Sequence, residues 1–246
     1  MILAVIPARF ASTRFPGKPL HLIAGKPLVQ HVWERCQACS KLDHIVVATD
    51  DQRIVDACNA FGADVRLTSP DHPSGTDRMA EIAQAFPEAD ILLNVQGDEP
   101  LISPRLIDEL AATLAADPSL PMITAAAVLT DPRLLDDPNV VKVTTTTTGR
   151  ALYFSRSRIP YPRQSDSRTQ WLWHKGIYGY RREFLLQFVS WPPSMLEMTE
   201  SLEQLRALEN GGAIQVVLTD EDSPGVDTFE QARAVEAKIY EMQRTC

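Results

Sequence analysis

Short apolar runs alternate along the chain with stretches whose apolar residues recur at helical spacing, a pattern that predicts helices wound on a mostly parallel sheet. Residues 2–6 contain no polar side chain, as expected of a strand covered on both faces. A long polar turn follows, and residues 27–39 carry a helical stripe through Leu28, His31, Val32 and Arg35. Residues 45–48 predict a second strand. Asp50 and Asp51 then stand where a helix N-cap belongs, ahead of an inner stripe of Ile54, Val55 and Cys58. Residues 65–67 predict a third strand, and 76–86 a helix opened by a Ser-Gly-Thr-Asp turn. The run 91–95 is the most β-like of the first half and stops at Gln96-Gly97-Asp98-Glu99-Pro100. Open parallel sheets bind ligands just beyond the carboxyl ends of their strands, so that ending marks a candidate site.

After a helix over 104–116 and a strand over 122–129 the character changes. Residues 140–148 are rich in β-branched side chains, and with Gly149 and residues 151–154 they predict a hairpin whose threonine run is an exposed edge. Residues 161–170 are polar and contain proline, the composition of a loop. The pattern then predicts a strand over 173–180, helices over 182–190 and 195–209, a last strand over 213–218 and a closing helix over 229–244. No internal repeat and no linker-like composition shift interrupts this order. The expectation is one α/β domain over 1–246, a Rossmann-like, mostly parallel twisted sheet carrying an inserted β-rich lobe.

Composition narrows the classes. The 246 residues are 44% hydrophobic and 23% charged, an ordinary globular balance with enough chain to bury a core without disulfides. Against 24 basic residues stand 32 acidic ones, a net charge of −8, which argues against a whole-surface nucleic-acid or anionic-membrane binder. Any phosphate must be handled at a local site. No apolar run reaches the roughly eighteen residues of a transmembrane helix. The first residues lack the basic stretch of a secretory leader, so the chain is expected to be cytoplasmic. The cysteines, Cys36, Cys39, Cys58 and Cys246, suggest reduced thiols. Cys36-Gln37-Ala38-Cys39 admits a redox or half-zinc motif, but no second such pair supports it, and two helix-borne thiols are the preferred reading. His21, His31, His44 and His72 show no metal-ligand spacing.

The exception to the acidic average is the loop over residues 7–20, which holds Arg9, Arg14 and Lys18 and no acid. Ser12, Thr13 and Gly17 add hydroxyls and a point of close backbone approach, which together suit a polyphosphate. The composition alone fits a phosphate site and a solvated basic loop equally. Neither GxxxxGK[ST] nor GxGxxG occurs, which disfavours a P-loop enzyme and a dinucleotide-dependent oxidoreductase. Asp98 follows a buried strand, and Asp227 follows the last strand after a Pro-Gly turn. For Asp227, with Thr228 and a helix beside it, a helix cap is an open alternative. Two carboxylates facing a polyphosphate loop are what Mg²⁺ takes, leaving its other positions to water and substrate oxygens. Arg78, by itself, is a helix-face cation for Asp77 or Glu81, and Glu99 is local support.

The segment Pro7-Ala8-Arg9-Phe10-Ala11-Ser12-Thr13-Arg14-Phe15-Pro16-Gly17-Lys18-Pro19-Leu20 resembles the signature of the sugar-activating nucleotidyltransferases. It is most similar to the form found in cytidylyltransferases for 3-deoxy-manno-octulosonate (Kdo). Further matches follow in order: Ile45 to Asp50, Ser74-Gly75-Thr76-Asp77-Arg78, Asn94 to Pro100, Tyr153-Phe154-Ser155-Arg156, His174 with Gly176 to Tyr180, Ser201 to Arg206, and Gly225-Val226-Asp227-Thr228. The resemblance implies transfer of a cytidylyl group from CTP to the anomeric hydroxyl of Kdo, with release of pyrophosphate, for lipopolysaccharide biosynthesis. It places Mg²⁺ on Asp98 and Asp227 and the triphosphate on Arg9, Ser12, Arg14 and Lys18. Arg9, Lys18, Asp98 and Asp227 would carry the chemistry. Ser74 and Arg78 would contribute to the nucleotide pocket, and Gln96, Arg156, His174, Tyr178, Glu203 and Gln204 to the sugar pocket.

On this reading residues 1–130 form the nucleotide-binding portion, 131–215 the sugar-binding and dimerisation portion of a homodimer, and 216–246 the closing strand and helix. Neither nucleic acid nor membrane is an expected partner. The alternatives are a cytidylyltransferase for another acidic sugar, such as sialic acid or an amino analogue of Kdo, and a non-catalytic nucleotide-binding protein on the same fold. Two departures from the family pattern stand out. Lys175 occupies a place where an apolar residue is usual, tolerable if strand alternation turns it away from His174. Met195-Leu196-Glu197-Met198 replaces a stretch that commonly carries a histidine, so no histidine role is assigned there. Glu203 and Gln204, about 100° apart on a helix, can share a pocket only at the helix side.

Overall fold

The computed structural model describes residues 1–11, 15–164, 169–221 and 223–245. In chain order they form β1 (Ile2–Ala8), β2 (Leu22–Ile23), β3 (Lys26–Pro27), α1 (Leu28–Gln37), β4 (His44–Thr49), α2 (Gln52–Ala60), β5 (Asp64–Leu67), α3 (Gly75–Ala85), β6 (Ile91–Asn94), α4 (Pro104–Ala116), β7 (Met122–Val128), β8 (Lys142–Thr145), β9 (Ala151–Ser155), β10 (Leu172–Arg181), α5 (Arg182–Ser190), α6 (Met195–Glu200), α7 (Gln204–Glu209), β11 (Ile214–Leu218) and α8 (Phe229–Thr245). Two compact units result, Met1–Ala111 with Asp222–Cys246, and Ala112–Glu221.

In the first unit β6, β1, β4 and β5 lie side by side and parallel. Leu3, Ala4, Val5 and Ile6 of β1 have no exposed surface, which is why this run tolerates no polar residue. Of the two aspartates ahead of α2, Asp51 is the cap, accepting from Arg53 N at 2.9 Å. Its neighbour Asp50 is thereby left to pair with Arg78. The hairpin of β2 and β3, inside the stretch expected as a polar turn, is too short for a period-2 pattern to show. Its turn residues Ala24 and Gly25 have φ of 47° and 80°.

The second unit orders its strands β11, β7, β10, β8, β9, with β11 parallel to β7 and the other pairs antiparallel. Because β7 pairs with β10 and β11, it belongs to this unit, and the boundary between the two units falls within α4. The helix expected over 195–209 is two helices. Ser201 between them is left-handed, with φ of 51°. The apolar stripe of Met195, Met198, Leu202 and Leu205 keeps helical spacing across the break, so periodicity alone could not reveal it. β10 departs from a regular strand as well. Lys175 faces Ala125 of β7 but Tyr178 faces Thr124, so Gly176 and Ile177 form a bulge. Lys175 turns to the side of Trp173, with Nζ 3.4 Å from that ring's centroid, as alternation requires. Among the described residues no helix is long and apolar enough to cross a membrane.

Candidate active site

Parallel pairing brings the carboxyl ends of β1 and β6 to one edge of the first unit, and the loops that leave them touch. A Cβ on Gly97 would lie 2.5 Å from the Pro7 carbonyl oxygen, so only glycine admits this approach. The next residue, Asp98, accepts a backbone hydrogen bond from Val226 N at 2.8 Å. Val226 in turn shares a buried apolar cluster with Phe15, Leu28 and Val235. Phe15 sits in the loop after β1, its ring 4.2 Å from Phe229 at the start of α8. Gly17, left-handed with φ of 71°, donates to Phe10 O at 3.1 Å and turns the chain into Lys18. Three segments far apart in sequence are thus fixed by burial and backbone pairing before any charge is counted.

The charges then meet. Lys18 Nζ donates to Asp98 Oδ2 at 2.7 Å and to Asp227 Oδ1 at 3.0 Å. Burial by itself lowers the Lys18 pKa, but the charge and hydrogen bond of Asp98, then those of Asp227, outweigh it and hold the ammonium's pKa above its ordinary value. The cap of α8 is Thr228 and not Asp227. Gln231 N donates to Thr228 Oγ1 at 3.3 Å, and Thr228 N donates back to Gln231 Oε1 at 3.1 Å, a reciprocal box. That removes the capping alternative for the Asp227 carboxylate. Two carboxylates converging on one cation position, with room for substrate oxygens, fit Mg²⁺. Among the described residues no group of three or more His, Cys, Asp or Glu could hold a metal, so a site here relies on these two.

Arg9, Lys18, Ser74, Gly75, Gln96, Gly97, Asp98 and Asp227 line one cavity of about 510 Å³. That is the size of a small-ligand site. Arg9 donates to His72 O at 2.8 Å, which holds its guanidinium at the rim. Ser74 caps α3, accepting from Thr76 N and Asp77 N at 3.1 Å each, so the positive end of that helix faces the cavity. Arg78 does not line it. The side chain is fully buried, its Nη2 donating to Asp50 Oδ2 at 2.8 Å and its Nη1 to the Thr68 hydroxyl. The partner is neither Asp77 nor Glu81, and Arg78 joins the ends of β4 and β5 to the helix that Ser74 opens. Ser12 and Arg14 lie outside the described residues.

In the second unit the structure gathers His174, Tyr178 and Glu203. The rings of His174 and Tyr178 lie 5.4 Å apart: alternation puts positions 174 and 178 on one face of β10, and the bulge brings them opposite Ala126 and Thr124, only two residues apart on β7. Burial, with the charge of Lys175, pushes the His174 pKa down to about 3. The Tyr178 hydroxyl is pushed up, by burial first and then by Tyr180 and the Glu203 carboxylate. Gln204 is 5% exposed and its Nε2 has no hydrogen-bond partner among the described residues. Glu203 precedes α7 and Gln204 opens it, so the two are not mid-helix neighbours as expected.

Arg156 is committed to backbone: Nε donates to Glu200 O at 2.6 Å, Nη1 to Pro138 O at 2.8 Å and Nη2 to Ser201 O at 3.1 Å. It closes the carboxyl end of α6, where a cation complements the helix dipole. The Met195–Met198 stretch is the first turn of α6, held by a capping box between Ser194 and Glu197, with Glu197 paired to Arg206 at 2.5 Å. The paired thiols stay in α1 and its end. Cys36 is buried and Cys39, raised to about 12 by burial and then by the Asp108 charge, is an inert thiol.

The cytidylyltransferase family profile matches residues 3–221. The chain belongs to the cytidylyltransferase family. The 3-deoxy-manno-octulosonate cytidylyltransferase of Syntrophotalea carbinolica is 50% identical to this cytidylyltransferase over 246 residues, covering 97% of this chain and 98% of the relative. That of Pseudomonas fluorescens is 54% identical over 242 residues, covering 94% and 95%. Among solved structures, a CMP:2-keto-3-deoxy-manno-octonic acid synthetase complexed with CTP matches with a TM-score of 0.95 at 44% identity, covering 98% of this chain and 99% of that one. A cytidylyltransferase from Leptospira borgpetersenii, at 15% identity and a TM-score of 0.66, shares the fold. The mostly parallel α/β architecture expected from the alternating pattern is therefore that of the cytidylyltransferases.

Proposed function

We propose that this cytidylyltransferase joins CTP and Kdo, giving CMP-Kdo and pyrophosphate for lipopolysaccharide biosynthesis. The observation that carries the reading is the convergence of Asp98 and Asp227 on Lys18 in a cavity rimmed by Arg9 and the start of α3. The reaction is in-line attack of the anomeric hydroxyl on the α-phosphorus, and its demands are positioning and neutralisation of charge. Arg9, Lys18 and the backbone N–H groups at the amino end of α3 supply positive potential for the β- and γ-phosphates and for the departing pyrophosphate. Asp98 and Asp227 would hold Mg²⁺, which when bound polarises the α-phosphate and offsets its charge. Lys18 then exchanges its carboxylate partners for phosphate oxygens. His174, Tyr178, Glu203, Gln204 and Gln96 are the groups assigned to the sugar acid, with Arg156 holding the strand end and α6 in register.

The non-catalytic alternative predicts a damaged phosphate loop or missing carboxylates, whereas Arg9, Lys18, Asp98 and Asp227 are all present. We place the enzyme in the cytoplasm as a homodimer associating through its β-rich second unit. Mixing protein, Mg²⁺ and Kdo with CTP, UTP, GTP or ATP should release pyrophosphate with CTP only. Equal release with sialic acid in place of Kdo, or release without any sugar acid, would sink the assignment. Asp98→Asn should keep the fold and lower turnover by at least about 10²-fold. Near wild-type turnover of that variant at saturating Mg²⁺ would remove Asp98 from the metal site.

A further inference from the structure

The bulge in β10 does more than align two rings. Thr124 of β7, fully buried, sits at the step where the register shifts. Its Oγ1 lies 2.7 Å from Ile177 O, 3.2 Å from Lys175 O and 3.1 Å from His174 Nε2. A hydroxyl has one proton, and a carbonyl oxygen can only accept. The proton is therefore spent on the bulge carbonyls, and toward His174 the same oxygen can only accept. Nε2 must be the protonated ring nitrogen. The ring lies edge-on to Phe154, with centroids 5.0 Å apart, beside Lys175, surroundings that disfavour an imidazolium. In the neutral ring Nδ1 is then a lone pair, and no hydrogen bond from a described residue reaches it.

We propose that Thr124 is a positioning residue: it fixes His174 as the Nε2–H tautomer, so that Nδ1 faces the ligand as a hydrogen-bond acceptor and selects a hydroxyl of the sugar acid over its carboxylate. A carboxylate has only lone pairs to offer and would meet another at Nδ1. The acid group must find its partners elsewhere. The choice of ligand atom rests on the function proposed above; the tautomer does not.

Full-length protein labelled with ¹⁵N-histidine at neutral pH tests both parts, with the His174 signals assigned by their loss in His174→Gln. Wild type and Thr124→Ser should show the proton on Nε2. Thr124→Val, nearly the same shape without the hydroxyl, should show the two ring nitrogens moving toward each other as tautomers mix. Its KM for Kdo should rise in proportion to the rings that leave the Nε2–H tautomer, about twofold for an even mixture, while the KM for CTP stays and Thr124→Ser restores the Kdo value. A wild-type proton on Nδ1, or a tautomer unmoved in Thr124→Val, overturns the positioning role. The wild-type spectrum decides the tautomer even if Thr124→Val fails to fold. Mixed tautomers with an unchanged KM for Kdo overturn the hydroxyl selection. Absence of turnover with CTP and Kdo in wild type counts against the proposed function and leaves the spectrum standing.

Discussion

Asp98 and Asp227, 31% and 40% exposed, would repel each other without the Lys18 ammonium that bridges them at 2.7 and 3.0 Å. Lys18→Met keeps the length of the side chain and removes the charge. The carboxylates are partly screened by water, so the loss of stability should be about 1–2 kcal/mol, below that of breaking a fully buried pair. Turnover should fall by about 10²–10³-fold, the effect of losing one stabilising donor. The pH dependence has a definite sign. A group whose pKa is raised on folding contributes stability in full below its unfolded value and loses it as pH climbs through the folded value. The gap in denaturation midpoint between wild type and Lys18→Met should therefore be constant from neutral pH to about 10.5 and close above it. A gap that instead vanished between pH 5 and 8 would mean that Lys18 acts through some other group. At this scale Arg9, Lys18, Asp98 and Asp227 could be singled out by residue type and motif order, and the structure lines one cavity with all four. The partner of Arg78 could not be read this way: Asp50 is separated from it by 28 positions, and only the packing of α3 against β4 brings the two together.

Between residue and fold, the caps and breaks of the elements decide where the site residues stand. Thr228 and Gln231 cap α8 reciprocally, and Asp227 immediately precedes the cap, its own N–H donating to Gln231 Oε1 at 2.6 Å. Thr228→Ala should cost about 1 kcal/mol through the lost cap and loosen Asp227, while Thr228→Ser should keep both the cap and the activity. Urea denaturation midpoints with pyrophosphate release on the same samples check this. If Thr228→Ala matched wild type in both, the cap would have no part in placing the carboxylate. The T-x-x-Q spacing of this box is readable from sequence. Helices α4 and α5 were found at their observed bounds for a similar reason, since apolar periodicity and end signals agree there. The split between α6 and α7 was not, because the apolar stripe runs through Ser201. The bulge in β10 had a signal in Gly176, an isolated glycine inside a strand pattern. Its consequence, drawing His174 and Tyr178, which alternation already puts on one face, to within ring contact, depends on the register with β7 and has no trace in β10 alone.

A net charge of −8 describes the whole chain and hides a cavity with Arg9 and Lys18 at its rim, so at the largest scale composition excluded classes of partner without locating the site. Surface pattern carries more at this level. In the second unit Leu152 of β9 and Leu218 of β11 are each 59% exposed, and the turn that enters β9 lies against β11, where Val216 N donates to Gly149 O at 2.8 Å. Exposed apolar side chains grouped on neighbouring strands tend to mark a surface that another chain covers. A closed dimer covers the same patch on both copies at once, because a two-fold interface is self-complementary. Wild type should therefore scatter light as twice the chain mass, and Leu152→Asp combined with Leu218→Asp as a single chain. Each aspartate would place a charge in a desolvated apolar contact, which dimerisation cannot compensate. Neither position lies in the unit that holds Lys18, Asp98 and Asp227, so the double variant should still bind CTP with the affinity of wild type. A wild-type mass of one chain would remove the homodimer altogether, and a double variant still at twice the mass would move the interface away from β9 and β11.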